Sequence, residues 1–318
     1  MQNSPIAQSA LPLHGRTILD CSTLLPGPFV GKLLLQKGAR VLKIENPKRP
    51  DPAREMGALY GDLNAGKELV WLDLLNAEDQ ITFQKLVKNA DGLIEGFRPK
   101  AKKKLGLDAP TLHQLNPSLC IASLVGYPET SSFKDRAGHD LNFQALTGCL
   151  SLQNEMPALP WADLFAAYES ALAMLAAFDA VNRGHQCQTS VVSMSDTLTG
   201  LQSFVRNEAL RTGELPKHGT TLFSGKYPCY SIYLAKDGRR VAVGAVELKF
   251  WERLCQLLDL PELTSKGYSV GLEGGQVRQK IQDQFSKHDW SVWEPRFLNA
   301  DCCVEPVLNY SEAWPGMG

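Results

Sequence analysis

The chain has 318 residues, of which 44% are hydrophobic and 21% are charged, and its formal net charge is −1. This composition is typical of a globular protein, and the length allows a large core divided between two lobes. The near-zero net charge excludes a general electrostatic footprint for nucleic acid or for an anionic membrane. An anionic small ligand would therefore need a local basic patch.

Eight cysteines are scattered along the chain, and none forms a C-x-x-C pair. This pattern favours reduced, buried thiols in a cytoplasmic protein over a disulfide framework or a metal site. The first fifteen residues lack the basic-then-apolar order of a signal peptide. Glu169 and Asp179 interrupt the longest apolar stretch, so we expect no insertion into a membrane.

Strand and helix patterns alternate along the first two thirds of the chain. Apolar strand patterns occupy residues 16–22, 40–46, 68–74, 91–97 and 118–127. Helical patterns occupy residues 26–39, 77–90 and 163–182, and a strand running into a helix is indicated over 188–205. Such alternation predicts βαβ units and a mostly parallel sheet with both faces covered.

The character of the chain changes near residue 226. Residues 226–246 contain two alternating strands about a Lys-Asp-Gly turn, which indicates an antiparallel hairpin. Amphipathic helices follow over 248–260 and 276–289. We predict three parts: a large domain with a crossing segment, a smaller α+β domain and a short C-terminal segment, over 1–224, 225–300 and 301–318.

The turn after the first strand could suggest a dinucleotide site. However, the segment from Leu24 to Lys32 lacks G-x-G-x-x-G spacing, and Pro28 removes one amide donor that a phosphate cradle would use. A tight strand-to-helix turn is the favoured interpretation.

Basic residues follow the predicted fourth strand. Arg98 precedes Lys100, Lys102, Lys103 and Lys104. A lysine run is usually a solvated face, but this one begins where a parallel strand ends, the edge at which such sheets bind ligands. The guanidinium of Arg98 also has a geometry suited to phosphate oxygens. These residues alone are compatible with two interpretations, a solvated face and an anion-binding site.

Two groups able to move protons are predicted at loop-to-helix junctions. His139 precedes one helix, and Asp163 opens the alanine-rich helix. Alone, His139 would be a core or capping histidine, and Asp163 would be an ordinary N-cap whose carboxylate the helix amides hold ionised. Glu247 would by default be an acid in the first turn of a helix. An acid–base site is the alternative for the histidine and the aspartate.

Several segments occur together and in a fixed order. They are LLPGPFVGKLLLQKGARVLKIENP, LNAGKELVWLDL, ADGLIEGFRP with KKLGL, NPSLCIASLVGY, AGHDLNFQALTG, VSMSDTL, DGRRVAVGAVELKFW and ADCCVEPVL. This order resembles the family III CoA-transferases (the CaiB/BaiF-like family), and within it the α-methylacyl-CoA racemase branch. The resemblance covers residues 13–312.

The resemblance implies a fold and a substrate class. It implies an α/β fold, with a Rossmann-like parallel-sheet large domain, a smaller α+β domain and an interlocked homodimer. Members act on acyl-CoA thioesters and need neither a metal nor a tightly bound cofactor, since coenzyme A is part of the substrate.

The resemblance also implies roles for the proton-moving residues. In the transferase branch the aspartate matching Asp163 is a nucleophile, whereas in the racemase branch it forms an acid–base pair with the histidine at position 139. The transferases tend to carry an aromatic residue where this chain has His139. Glu247 matches a glutamate that is associated with the histidine in the racemases. These positions favour the racemase branch.

Contacts to coenzyme A carry over by motif position. They are Leu72, Asp73, Leu74, Leu75, Phe97, Arg98, Lys104, Gly138, Asp140, Leu141, Asn142 and Phe143. Two positions depart from the family pattern: Asn46 and Leu75 stand where arginine and lysine are frequent. Both departures remove positive charge from the implied phosphate site.

The sequence therefore predicts a racemase or epimerase acting on the α-carbon of a 2-methylacyl-CoA. His139 and Asp163 would exchange the α-proton on opposite faces of the carbon, and backbone amides at the start of the Asp163 helix would stabilise the enolate oxygen. A CoA-transferase with an Asp163 acyl intermediate is one alternative. A non-catalytic relative that binds CoA esters is another, suggested by Asn46, Leu75 and the short C-terminal segment.

Overall fold

The computed structural model describes residues 10–187 and 189–314, which form two compact units. Of these residues, the first unit comprises 10–150 and 157–203, and the second comprises 151–156 and 204–314. Residues 204–224, predicted as part of the large domain, thus group with the second unit. Residues 301–314 of the predicted C-terminal segment do so too, because Val304–Pro306 forms a strand of the second unit's sheet.

The first unit is built on a six-stranded, fully parallel sheet. Its strands are β1 Thr17–Asp20, β2 Arg40–Glu45, β3 Glu68–Trp71, β4 Gly92–Glu95, β5 Cys120–Val125 and β6 Thr189–Ser193. Their order across the sheet is β3-β2-β1-β4-β5-β6. This is the Rossmann order, in which the chain turns back between β1 and β4 and leaves a crevice at the carboxyl ends of these strands. The predicted α/β fold with a parallel sheet is confirmed.

Helices cover both faces of this sheet. They are α1 Pro26–Gln36, α2 Gly57–Asn64, α3 Ala77–Lys88, α4 Pro99–Leu105, α5 Ala109–Leu115, α6 Asp140–Leu146, α7 Trp161–Asn182 and α8 Met194–Leu201. Neighbouring residues of β1 face opposite cores: Ile18 packs with Val30 and Met174, and Leu19 packs with Phe83. Both β1 side chains are fully buried. Such two-sided burial explains the continuous apolar runs of the strands.

Helix α7 is the one described helix that is long and apolar enough to cross a membrane, by length and composition. One face of it contributes Ala167, Ala171 and Met174 to the core beside the sheet. The other face is open: Tyr168 is 55% exposed and Leu172 is 68% exposed. A core helix of a globular protein has the same length and composition, and the buried face of α7 fits that description.

The second unit has a three-stranded antiparallel sheet of β7 Tyr230–Leu234, β8 Arg240–Gly244 and β9 Val304–Pro306. Its helices are α9 Ser203–Thr212, which begins at the last residue of the first unit, α10 Leu248–Leu257, α11 Gly271–Phe285, α12 Trp290–Phe297 and α13 Tyr310–Ala313. Trp251, Phe285 and Trp293 lie in its core. The predicted hairpin and the two amphipathic helices after it are confirmed.

Most of the cysteines lie inside the two units. Cys21, Cys120, Cys229, Cys255 and Cys302 are buried, and Cys303 is exposed. The Sγ atoms of Cys120 and Cys187 lie 3.1 Å apart at the amino-terminal side of the parallel sheet. Within 10–187 and 189–314, no group of three or more His, Cys, Asp or Glu residues is arranged to hold a metal ion.

Candidate active site

A cavity of about 270 Å³ opens at the carboxyl ends of β1, β4 and β5, at the point where the strand order reverses. Its walls come from the loops after these three strands, from the end of β6, and from the starts of α6 and α7. Parallel sheets of this order bind ligands at this crevice. The cavity is therefore the leading site for chemistry in the first unit.

His139 lines this cavity from the residue that precedes α6. Its backbone N–H donates to Oδ1 of Asn142, at 3.0 Å, which closes the first turn of the helix. Gly138 is required beside it, because a Cβ there would lie 2.9 Å from the ring of Phe143 and 3.1 Å from the hydroxyl of Tyr127. The Gly-His pair thus lets the chain pass close to two aromatic rings before His139 turns to the cavity.

Asp163 lines the same cavity from the first turn of α7. The expectation that it is the N-cap is wrong: the helix begins at Trp161, and Pro160 occupies the cap position. The structure brings His139 and Asp163, which are distant in sequence, to one cavity. Placement in one cavity is the first requirement of an acid–base pair.

The protonation of Asp163 also differs from the expectation that helix amides keep it ionised. Burial, and then the charge of Asp140, raises the pKa of Asp163 to about 7. Both effects disfavour the carboxylate because it is poorly solvated and faces a like charge. A carboxyl group with a pKa near the working pH can take up and release a proton, as a general acid–base catalyst must.

The backbone amide of Asp163 is already bonded. It donates to Oδ1 of Asp140, at 3.1 Å. This amide was one of the donors expected to stabilise an enolate oxygen, and its bond to Asp140 removes it from that role. Asp140 itself is absent from the cavity lining.

The family follows from comparison of the whole chain with known proteins. Residues 13–315 match the family model described as CoA-transferase family III. The chain belongs to CoA-transferase family III. It is 33% identical to a CaiB/baiF CoA-transferase family protein of Caenorhabditis elegans, over 94% of this chain and 87% of that protein. It is 32% identical to human alpha-methylacyl-CoA racemase, over 94% of this chain and 78% of the racemase.

Solved structures support the same fold. The crystal structure of Rv3272 from Mycobacterium tuberculosis aligns with a TM-score of 0.83 and 23% identity, over 96% of this chain and 85% of that chain. Relatives at about 30% identity to this family member include both alpha-methylacyl-CoA racemases and CoA-transferases. The family is therefore established, and the choice of reaction depends on the site itself.

Four of the residues expected to contact coenzyme A line the cavity of this CoA-transferase family III member. They are Phe97, Arg98, Gly138 and Phe143. Arg98 is exposed and stands just after β4. Of the lysine run, Lys102 turns inward and forms an ion pair with Glu95, at 2.6 Å.

The other expected contacts lie outside the cavity lining. Leu72 and Leu74 are buried in the core on one face of the sheet. Asp73 accepts hydrogen bonds from Asn46, at 2.9 Å, and from Lys48, at 3.3 Å. The group is completed by the half-buried Asp140 and by four exposed residues: Leu75, Lys104, Leu141 and Asn142. Their contact with coenzyme A stays a prediction.

Glu247 precedes α10 in the second unit and is exposed. Its predicted role as the partner that orients His139 stays a prediction.

Two basic residues of the cavity were not singled out from the sequence. Lys134 and Arg136 line it from the segment between β5 and α6. The sequence did contain a signal for them, since both basic residues stand within five residues before His139. Together with Arg98 they give the cavity three cationic side chains, of which Lys134 forms an ion pair with Glu129 at 2.7 Å.

The loop Ser22–Leu24 forms another wall of the cavity, and it was predicted only as a structural turn. Leu24 has a φ of 64°, the left-handed conformation that leucine rarely adopts. Its backbone N–H donates to Asp51, at 2.9 Å, and the Ser22 carbonyl accepts from Lys43. The Ser22 N–H donates to Asp20, at 3.1 Å. These bonds hold the loop in a strained shape.

The side chains that hold this loop form a buried ionic quartet of Asp20, Lys43, Asp51 and Lys67, each at most 1% exposed. Lys67 lies 2.8 Å from Asp20, and Lys43 lies 3.2 Å from Asp51. Burial alone would raise the pKa of Asp20, but the two ammonium groups overcome it and lower that pKa to about 2. Two acids and two bases thus balance their charges beneath the cavity wall.

Proposed function

We propose that this family member is an acyl-CoA racemase or epimerase that inverts the α-carbon of a 2-methylacyl-CoA thioester. The observation that carries the proposal is the pairing of an imidazole, His139, with a carboxyl group of near-neutral pKa, Asp163, in one cavity. Inversion needs two groups that can each accept and return a proton, and these residue types supply them.

The chemistry follows from the thioester. The α-proton is weakly acidic because the carbonyl can take up the developing charge as an enolate. One residue of the pair removes the proton from one face, and the other returns a proton to the opposite face; the order depends on the configuration of the substrate. Asp163 suits both roles since its carboxyl group changes charge near pH 7.

The cationic side chains of the cavity support a coenzyme A ester as the substrate. Arg98, Lys134 and Arg136 line the cavity beside the catalytic pair. Guanidinium and ammonium groups are the usual protein partners of phosphate oxygens. Coenzyme A would enter as part of the substrate, with no tightly bound cofactor, and Glu247 would orient His139.

A CoA-transferase is the second candidate, because relatives at 28% and 29% identity carry that name. Asp163 would then attack the thioester carbonyl, form a mixed anhydride and release the CoA thiolate. The thiolate would attack the aspartyl carbonyl of this anhydride, which frees the first acid and leaves an Asp163–CoA thioester. A second acid would attack that thioester, and the released thiolate would take the acyl group of the second mixed anhydride and restore the Asp163 carboxylate. The transfer needs one nucleophile and no second proton-moving residue, whereas inversion needs two such groups. The presence of His139 and Asp163 in one cavity thus favours the racemase.

We also propose that the exposed face of α7 packs against a second copy of the chain in a homodimer. Phe165, Tyr168 and Leu172 are 37%, 55% and 68% exposed there. A stripe of this kind on one helix marks an interaction site. For a protein of the cytoplasm, which is the proposed location, a second copy of the chain would bury these apolar side chains. Light scattering should report a dimer for the wild type, and Leu172→Lys should shift the protein toward monomer.

The decisive experiment is α-proton exchange of a 2-methylacyl-CoA in heavy water. Wild-type protein should incorporate deuterium at the α-carbon and convert one epimer to a mixture of both. His139→Ala and Asp163→Asn should each slow exchange by at least about 100-fold, since general acid–base groups contribute factors of this size. Binding of coenzyme A should be nearly unchanged in both.

Matched controls come from the same unit. His185→Ala removes an exposed imidazole, and Asp179→Asn neutralises an exposed carboxylate on α7 itself. Both should exchange at the wild-type rate. Absence of exchange in the wild type, together with an acyl or CoA adduct on Asp163 in intact-protein mass spectra, would replace the racemase with the transferase.

A further inference from the structure

The start of α7 lacks a side-chain cap of its own. Pro160 occupies the cap position and offers no side-chain acceptor. The first amides of a helix have no partner within it, so each needs an acceptor from elsewhere or from water. For Asp163, the acceptor is Oδ1 of Asp140, the first residue of α6, at 3.1 Å. One helix is therefore capped by the first residue of another.

The second oxygen of Asp140 is fixed as well. Nε2 of Gln144, one turn later on α6, donates to Oδ2 of Asp140 at 2.6 Å. The same nitrogen lies 3.4 Å from the carbonyl oxygen of Leu159, just before α7. Gln144 is fully buried. The Asp140 carboxylate, which is half-buried, and the buried Gln144 amide thus form a link between the starts of α6 and α7.

This link joins the two proton-moving residues. Asp140 follows His139 directly in the chain, and it bonds the backbone of Asp163 itself. We propose that Asp140 is a positioning residue, whose carboxylate ties the start of α7 to the start of α6 and thereby sets the separation of His139 and Asp163. This inference deepens the proposed function and rests on it for its catalytic consequence.

The same carboxylate has an electrostatic effect. After burial, Asp140 is the charge that raises the pKa of Asp163. Other charged groups surround Asp163: the cavity holds Arg98, Glu129, Lys134 and Arg136 together with His139, α7 carries Glu169, and α8 carries Asp196. Asp140 differs from them because it is bonded to the Asp163 backbone and cannot move away.

Two substitutions separate the effect of the Asp140 hydrogen bond to the Asp163 amide from the effect of the Asp140 charge. Asp140→Asn keeps an oxygen that accepts the Asp163 N–H and removes the negative charge, and a rotated Gln144 can offer its unbonded Oε1 to the new amide. Asp140→Ala removes both the hydrogen bond and the charge. Thermal unfolding and coenzyme A binding establish that each variant is folded.

The first readout needs no substrate. Aspartate labelled with carbon-13 at the carboxyl group reports the titration of Asp163, and Asp163→Asn assigns the signal. In the wild type the signal should titrate near pH 7, and in Asp140→Asn the midpoint should be clearly lower, since a like charge is gone. An unchanged midpoint in Asp140→Asn overturns the electrostatic part of the proposal.

The second readout is kinetic. Asp140→Ala should lower kcat for α-proton exchange by about 10- to 100-fold, because a displaced catalytic group loses rate steeply. KM should change by less than about threefold if Asp140 positions the pair; a contact to coenzyme A would instead raise KM and leave kcat. Asp140→Asn should retain more of kcat than Asp140→Ala, with the acid limb of the pH profile moved to lower pH.

The outcomes are distinguishable from failure of the proposed function. If the wild type exchanges no α-proton, the racemase proposal falls, while the carbon-13 titration still tests Asp140 against Asp163. If the wild type exchanges and Asp140→Ala keeps the wild-type kcat, the positioning role is overturned.

Discussion

Asp20 and Lys67 form a buried ion pair, with 2.8 Å between Oδ2 and Nζ, at the carboxyl end of β1. Lys67 also donates to the carbonyl oxygen of Pro28, at 2.7 Å, in the first turn of α1. The pair therefore joins the strand that ends at the cavity to the helix that follows it. The shape of the cavity wall therefore depends on a pair of charged side chains that are buried from solvent.

Lys67→Met should destabilise the first unit severely. The apolar side chain leaves Asp20 buried with only Lys43, at 3.9 Å, as a cationic neighbour. Removing one partner of a buried pair costs about 3–5 kcal/mol because the other charge is left uncompensated. Urea unfolding measures the loss. Lys32→Met, which removes the exposed pair with Asp62, is the matched control and should cost less than about 1 kcal/mol.

Gly31→Ala should also destabilise the protein, for a steric reason. A Cβ at this position would lie 2.9 Å from Nζ of Lys67 and 3.0 Å from Oδ2 of Asp20. The ion pair must shift to admit it, and overpacking of this kind costs about 1–3 kcal/mol. Gly61→Ala on α2 meets nothing within 4 Å and should be neutral or stabilising. Equal thermal stability of the two variants would contradict this prediction.

Acid should weaken the fold through Asp20. Its folded-state pKa of about 2 lies below the ordinary value of 3.8, so the unfolded chain binds the proton first as pH falls. The stabilisation is present above about pH 4 and is lost as pH falls toward 2, and its size is about 2–3 kcal/mol. Urea unfolding across this range should show the loss. Asp62→Asn should leave the slope unchanged, and Asp20→Asn should flatten it.

Asp163 should show the opposite dependence. Its pKa is raised to about 7, so the folded protein holds the proton more tightly than the unfolded chain. Stability is therefore lost as pH rises from about 4 toward 7. Asp163→Asn removes this loss, and its melting temperature should exceed that of the wild type near pH 8. Asp179→Asn should track the wild type, and identical curves for Asp163→Asn and wild type would refute the raised pKa.

Arg98→Met should weaken binding of coenzyme A by about 10- to 100-fold, which is the worth of a hydrogen bond to a charged group. Lys100→Met is the matched control, because Lys100 is exposed on α4 and lies outside the cavity lining. Isothermal titration with coenzyme A at two salt concentrations measures both. Wild-type affinity in Arg98→Met would remove Arg98 from the phosphate site.

The sequence predicted the sheet well because apolar strands and helical periods are local signals. The alternation of strand and helix from β1 to β5 indicated a parallel sheet, and parallel strand ends meet at one edge. His139 and Asp163 could be named from their residue types and from the family resemblance. The hairpin of β7 and β8 was visible in its turn residues.

The environment of the catalytic pair could not be predicted in this way. Asp140 meets the Asp163 amide across 23 positions of sequence, and only the packing of α6 against α7 creates that contact. The pKa of Asp163 depends on burial and then on the charge of Asp140, and both follow from this packing. The helix start at Trp161 was also missed, since an aspartate beside a Pro-containing turn resembles an N-cap.

Cys303 is a suitable site for selective labelling of the protein. It is the exposed member of the eight cysteines, and five of the others are sealed in cores. A fluorophore carried by a maleimide should therefore attach there first, placing a reporter on the antiparallel-sheet unit of the unaltered protein.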